Sequence, residues 1–266
     1  MIQVARGSEF RKNVNDQYAQ IFGEGFDRGT IYFTSKSGEF ISAATLKNGY
    51  KFAIDPSNIE NPELIYNDIG QALGVDRDFF MKRALKEIDP YEEIETKVDP
   101  ATYETLKEYR HKGVIFERQD WRFYPANSLA AQTIGFTAFE GDIINGRYGL
   151  ERSFDKTLER TSSELYVNFF AEVFANVSQS FTQEERQHQG DIVTTLEPSV
   201  QLFLHQKLIS ILEQWSAENA GGIIMDPSTG EILALETVPT FNLNEYSQVD
   251  DIAVYRNPIV EDLYEM

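Results

Sequence analysis

The sequence predicts an α+β protein, and three observations carry that prediction. Short apolar runs punctuated by turn residues occupy residues 28 to 54, helical periodicity takes over from residue 57, and residues 191 to 266 hold an amphipathic helix followed by two apolar runs. With 266 residues, 41% hydrophobic and 13% aromatic, the chain is long enough for one large or two ordinary domains with real cores. The expected division is 1–190 and 191–266, the first part an elongated mixture of helices and strands, the second a helix packed on an antiparallel hairpin. No internal repeat or low-complexity linker separates them.

The elements follow in order. Ile31-Tyr32-Phe33 and Phe40-Ile41 are strands joined through Lys36-Ser37-Gly38, and a second turn is expected at Lys47-Asn48-Gly49, before Phe52-Ala53-Ile54 and the stop Asp55-Pro56. Asn61-Pro62-Glu63 opens a helix with Leu64, Ile65, Ile69 and Leu73 on one face, closed by Gly74-Val75. Asp76 caps a second helix carrying Phe79, Phe80, Ala84 and Leu85, and Asp99-Pro100 starts a third with Tyr103, Leu106 and Tyr109, ending near Gly113. Val114-Ile115-Phe116 and Trp121-Arg122-Phe123-Tyr124 read as strands. Residues 165 to 181 fit a helix, through Tyr166, Phe169, Phe170, Val173, Phe174 and Val177, and equally a hairpin strand, through the alternation of Leu165, Val167, Phe169, Ala171 and Val173. Pro198 suits a first helical turn, and Val200, Leu204, Leu208, Ile211, Leu212 and Trp215 recur at helical spacing behind it. Ile223-Ile224-Met225 and Ile232-Leu233-Ala234-Leu235 are continuous apolar runs, which predicts strands covered on both faces, with Asp226-Pro227-Ser228-Thr229-Gly230 as their turn.

Composition excludes several functions. A net charge of −19 opposes nucleic-acid binding, which draws its affinity from clustered Lys and Arg. The absence of cysteine removes disulfide and thiolate-metal chemistry. His111, His188 and His205 are scattered without a metal-ligand spacing, so each is expected on the solvated surface, and neither a metal nor a cofactor is expected. No run approaches the roughly 20 apolar residues that span a bilayer. The 43 Asp and Glu single out no pair with distinct acid and base environments, so a carboxylate-dependent hydrolase is set aside.

Five segments, in order, resemble the class B penicillin-binding proteins, the D,D-transpeptidases that cross-link peptidoglycan. Arg28-Gly29-Thr30-Ile31 is similar to the family's first strand pair. Arg122-Phe123-Tyr124-Pro125 looks like its Arg-x-Tyr-Pro segment, and Gly149-Leu150-Glu151-Arg152-Ser153-Phe154-Asp155 its Gly-Leu-Glu segment. Gly190-Asp191-Ile192-Val193-Thr194-Thr195-Leu196 looks like the strand entering the catalytic domain, and the helix and hairpin of residues 198 to 235 like that domain's opening.

The resemblance implies a pedestal domain, then the start of a penicillin-binding transpeptidase domain that stops before its nucleophile. The Ser-x-x-Lys serine is expected about two residues beyond Met266, so no catalytic residue is expected within the chain. Arg28, Gly29, Arg122, Tyr124, Pro125, Gly149, Leu150, Glu151 and Asp155 are expected to be structural, with a partly buried Arg-Glu contact locking the first strands against the Gly-Leu-Glu turn. Two formal imitations, Ser153-Phe154-Asp155-Lys156 and Lys36-Ser37-Gly38, stand in reversed order without a Ser-x-Asn, and neither is expected to react. The implied location is the extracytoplasmic face of the cell membrane, with the membrane helix ahead of Met1. The implied partners are a membrane glycosyltransferase or other cell-wall synthesis and division proteins, and a possible second copy. Stem peptides and β-lactams are ligands of the full-length protein only. A stand-alone extracytoplasmic interaction module without activity is the alternative.

Overall fold

The computed structural model describes residues 27–86, 89–140, 143–159 and 190–262. The fold is α+β, and the chain forms two compact units: residues 47–121 in one, and 27–46 together with 122–266 in the other. The segment 165–181 lies outside the described residues, as do His188 and the last four residues. Among the described residues no helix is long and apolar enough to cross a membrane.

In the first unit three helices begin where short polar side chains can satisfy free backbone N–H groups. Asn61 accepts from Leu64 N–H at the start of α1 (Pro62–Ile65), which continues as a wider turn over Tyr66–Gly70. Asp76 accepts from Phe79 N–H at 2.8 Å to start α2 (Arg77–Ala84), and Asp99 caps α3 (Pro100–Leu106). Their buried faces are narrower than the spacing predicts: Ile65, Ile69, Phe80, Ala84 and Leu106 are buried, whereas Leu64, Phe79 and Leu85 are exposed. Arg83 lies over the Phe79 ring at 4.4 Å and shields it instead.

Three strands depart from the sequence expectation. No turn forms at Lys47-Asn48-Gly49, because β2 runs unbroken from Phe40 to Ile54. Gly49 is needed for close approach instead: a Cβ there would meet the Val98 carbonyl oxygen at 2.3 Å and the Trp121 ring at 2.7 Å. The sequence reading also missed β3 (Glu92–Val98), which pairs antiparallel with β2 through Tyr50↔Val98 and Ile54↔Glu92. Its glutamates hide the strand, yet Glu92 is buried against Arg83 and Lys86 while Ile94 and Val98 join the core. The two strands expected after Gly113 are one, β4 (Val114–Phe123), also paired with β2.

In the second unit β1 (Ile31–Thr34) pairs antiparallel with the start of β2 across the expected turn, where Gly38 takes φ +83°. The segment after β4 supplies α4 (Ala131–Ile134), the hairpin β5 (Thr137–Glu140) and β6 (Ile143–Gly146), then α5 (Gly149–Ser153) and α6 (Asp155–Leu158). The chain returns as β7 (Ile192–Val193), parallel to β1. It then forms the predicted helix α7 (Pro198–Trp215) and the hairpin β8 (Ala220–Met225) and β9 (Ile232–Val238), followed by single turns and α8 (Pro258–Glu261).

Residues on either side of position 190 share one core. Ile31, Phe33, Tyr124, Ile134, Phe136 and Leu158 pack with Leu196, Leu235, Phe241, Leu243 and Tyr255. β9 is covered on both faces from Ala234 to Val238, as expected, but β8 is not. Residues of β8 alternate, Gly222 facing Leu204 and Leu208 of α7 while Ile223 and Met225 stay 48% and 54% exposed.

Candidate functional site

The family-like residues converge on one buried carboxylate. Glu151, in the first turn of α5, is fully buried. Arg28 Nε donates to its Oε2 at 2.7 Å, and Arg122 Nε donates to its Oε1 at 2.6 Å. The two guanidinium groups also tie down backbone, Arg28 Nη2 donating to the Glu151 carbonyl at 2.9 Å and Arg122 Nη1 to the Gly29 carbonyl at 2.7 Å. Arg28 Nη2 lies 2.8 Å from Asp155 Oδ1, which also accepts from Gly146 N–H. Two arginines and two carboxylates therefore balance within the site, the condition for burying charge at tolerable cost. Among the described residues, Arg122 Nη2 is buried without a hydrogen-bond partner.

Tyr124 closes the cluster. Its hydroxyl donates to Glu151 Oε1 at 3.4 Å and accepts from Thr137 N–H at 3.0 Å. Burial first, and then the Glu151 charge, hold its phenol well above the ordinary tyrosine range. Asn244 brackets the Tyr124 backbone, accepting from its N–H at 3.0 Å and donating to its carbonyl at 2.8 Å.

Gly29 sits where a Cβ would lie 1.9 Å from the Gly190 carbonyl oxygen, so only glycine lets the two backbone segments touch. Gly149 takes φ +56° at the start of α5, and Leu150 packs against the core. Pro125 is exposed in the turn beyond Tyr124 and makes no part of the cluster. The structure thus brings together Arg28, Gly29, Arg122, Tyr124, Glu151 and Asp155, with Gly149 and Leu150 shaping the turn that carries Glu151.

The arrangement joins the segment ahead of β1, the end of β4 and the start of α5. Ser153 and Lys156 are exposed and lie on either side of the break between α5 and α6 at Phe154, whose φ of −115° leaves the helical region. Lys36-Ser37-Gly38 is a hairpin turn closed by Gly38 N–H donating to the Ser35 carbonyl at 2.9 Å. Among the described residues no group of three His, Cys, Asp or Glu is placed to hold a metal ion.

A second buried cluster was missed. Glu236 of β9 is buried among Gln201 and His205 of α7 and the Ala130 backbone. His205 is therefore not on the solvated surface, and neither is His111, whose Nε2 lies 2.7 Å from Asp68 Oδ2. The available signals were a glutamate closing the apolar run Ile232-Leu233-Ala234-Leu235 and the i, i+4 spacing of Gln201 and His205.

The cluster ties Arg28, Arg122, Tyr124, Glu151 and Asp155 to one another inside an α+β fold. The sequence profile of the Penicillin-binding Protein dimerisation domain matches residues 26–195, and the chain belongs to that family. Over 169 residues it is 25% identical to the peptidoglycan D,D-transpeptidase FtsI of Escherichia coli (strain K12), covering 64% of this chain and 28% of that protein. Over 173 residues it is 28% identical to the probable peptidoglycan D,D-transpeptidase PenA of Neisseria gonorrhoeae, covering 65% and 29%. Over 270 residues it is 23% identical to the stage V sporulation protein D of Bacillus subtilis, covering 99% and 40%. The crystal structure of penicillin binding protein 2X from Streptococcus thermophilus shares the fold, with a TM-score of 0.54 at 20% identity over 83% of this chain and 36% of that one. The chain thus spans 28% to 40% of the length of these curated relatives.

Proposed function

We propose that this chain is the non-catalytic pedestal region of a peptidoglycan-cross-linking D,D-transpeptidase, which positions a catalytic domain and docks partners of cell-wall synthesis. One observation carries the reading: the core of the family-matched segment runs without a break into α7, β8 and β9. A helix and hairpin held that way give whatever follows them a fixed starting frame, which is what a positioning role requires. That the similar FtsI and PenA are peptidoglycan D,D-transpeptidases, PenA a probable one, supports the reaction assigned to the longer protein. The family's description as a dimerisation domain supports a second copy of the chain as one partner. The other proposed partners are a membrane glycosyltransferase or division proteins, and the proposed location is the extracytoplasmic face of the cell membrane, reached through a membrane helix.

The test is direct. The 266-residue chain, incubated with excess penicillin and examined by mass spectrometry, is expected to carry no covalent adduct, since Ser153 is exposed and stands across a helix break from Lys156. An adduct mapped to Ser153 overturns the non-catalytic reading.

A further inference from the structure

Glu236 divides its two carboxylate oxygens between different kinds of partner. Oε2 accepts from the Ala130 backbone N–H at 2.9 Å and from the Gln201 side-chain amide, groups that hold their protons at every ordinary pH. Oε1 meets the imidazole of His205, whose Nδ1 lies 2.9 Å away. Gln201 is fixed in turn, accepting from Leu235 N–H at 2.9 Å and donating to the Leu235 carbonyl at 3.0 Å. Ala130 takes φ +55°, a left-handed conformation that alanine keeps only when its surroundings hold it, and Glu236 grips its N–H.

We propose that His205 and Glu236 form a proton-operated latch that ties α7 and β9 to the loop ahead of α4, closed while the pair holds a proton and loosened when it gives that proton up. The latch stands on this geometry and not on the proposed function. It joins the family-matched segment, through Ala130, to the helix and hairpin beyond it.

The electrostatic surroundings are sparse. The Ala126–Ala130 loop, α4 and β8 contribute no titratable side chain. α8 contributes Glu261, which accepts from Asn257 N–H and pairs with Arg256. α7 contributes Lys207, which lies over the Phe203 ring, and Glu213, which lines the same cavity as His205. Among the described residues His205 is the one cationic group paired with Glu236. That cavity, about 290 Å³ and lined also by Ile209, Leu212, Val238 and Pro239, gives the imidazole its route to solvent protons.

With one proton between them the two side chains carry no net charge. Without it a neutral imidazole can still donate from Nδ1, but the buried carboxylate has lost its counter-charge. Burial raises the affinity of Glu236 for protons above the ordinary glutamate range, and His205 only partly offsets this. A carboxyl that binds protons more tightly folded than unfolded contributes its stability fully below 4.5 and loses it as pH rises through the folded value.

Thermal melts of the 266-residue chain from about pH 4.5 to about pH 8 test this. The melting temperature of the parent is expected to fall relative to Glu236→Gln as pH rises, the gap changing by on the order of 2–4 °C. His205→Gln, which keeps a donor but no cation, is expected to deepen the fall. In the parent the Ala130 amide resonance is expected to titrate across the same interval, and this decides the matter if Glu236→Gln does not fold. Parallel profiles for the parent and Glu236→Gln, or an Ala130 amide that ignores pH, overturn the latch.

Discussion

The two compact units differ in how deeply most of their charges lie. In residues 47–121 the core is apolar, built on Phe52, Ile54, Ile65, Ile69 and Phe80, and most ion pairs lie at the rim, as with Arg77 and Glu63, 52% and 53% exposed. In the other unit Arg28, Arg122, Glu151 and Glu236 are buried inside or beside the core. Apolar packing tolerates a neighbour of slightly different shape, whereas a buried ion has one arrangement that satisfies it. Both units are held by apolar area, and the second adds buried ion pairs whose geometry admits no substitute partner.

Three substitutions can break or sharpen that contrast. Glu151→Ala strands two buried guanidinium groups and is expected to cost about 3–5 kcal/mol. Thermal melts decide it, and an unchanged melting temperature would remove the structural role given to the cluster. Tyr124→Phe keeps the ring but leaves Thr137 N–H buried without its acceptor, so a loss of about 1–3 kcal/mol is expected by denaturant titration. Arg77→Ala in the first unit removes an exposed pair, and a loss below about 1 kcal/mol is expected. That small loss should vanish in high salt, while the Glu151→Ala loss persists. Equal salt sensitivity in the two variants would mean that the burial contrast does not govern stability.

Local signals in the sequence were read well where the chain answers to itself. Asn61, Asp76 and Asp99 cap the helices they announce, Pro198 opens α7, and Gly38 and Gly230 sit in left-handed turns. Reading failed where a distant residue decides. Lys47-Asn48-Gly49 has turn composition, but Val98 and Trp121 approach Gly49 and the strand continues. Glu92 and Glu95 look like a solvated run until Arg83, Lys86 and the register with β2 make them a strand. The hairpin runs are apolar throughout, yet only one face of β8 meets α7. For the candidate site, the family motifs pointed to the residues but not to the atoms each one grips. Glu236 and His205 belong to no motif quoted, and their pairing across 31 residues is visible only in three dimensions.

The long reach of Arg28 to Glu151, 123 residues apart, also sets an order of events. Residues 47–121 are contiguous, so as the chain emerges during synthesis this unit can complete its core while the other still lacks everything after Phe123. The first strand pair must then wait, with a guanidinium that has no carboxylate to meet, until more than a hundred further residues have been made. Closing so long a loop is the slow step that contact order penalises. A compact insert folded early shortens that search, because the pairing of β2 with β4 takes the residues between them out of the loop that must close.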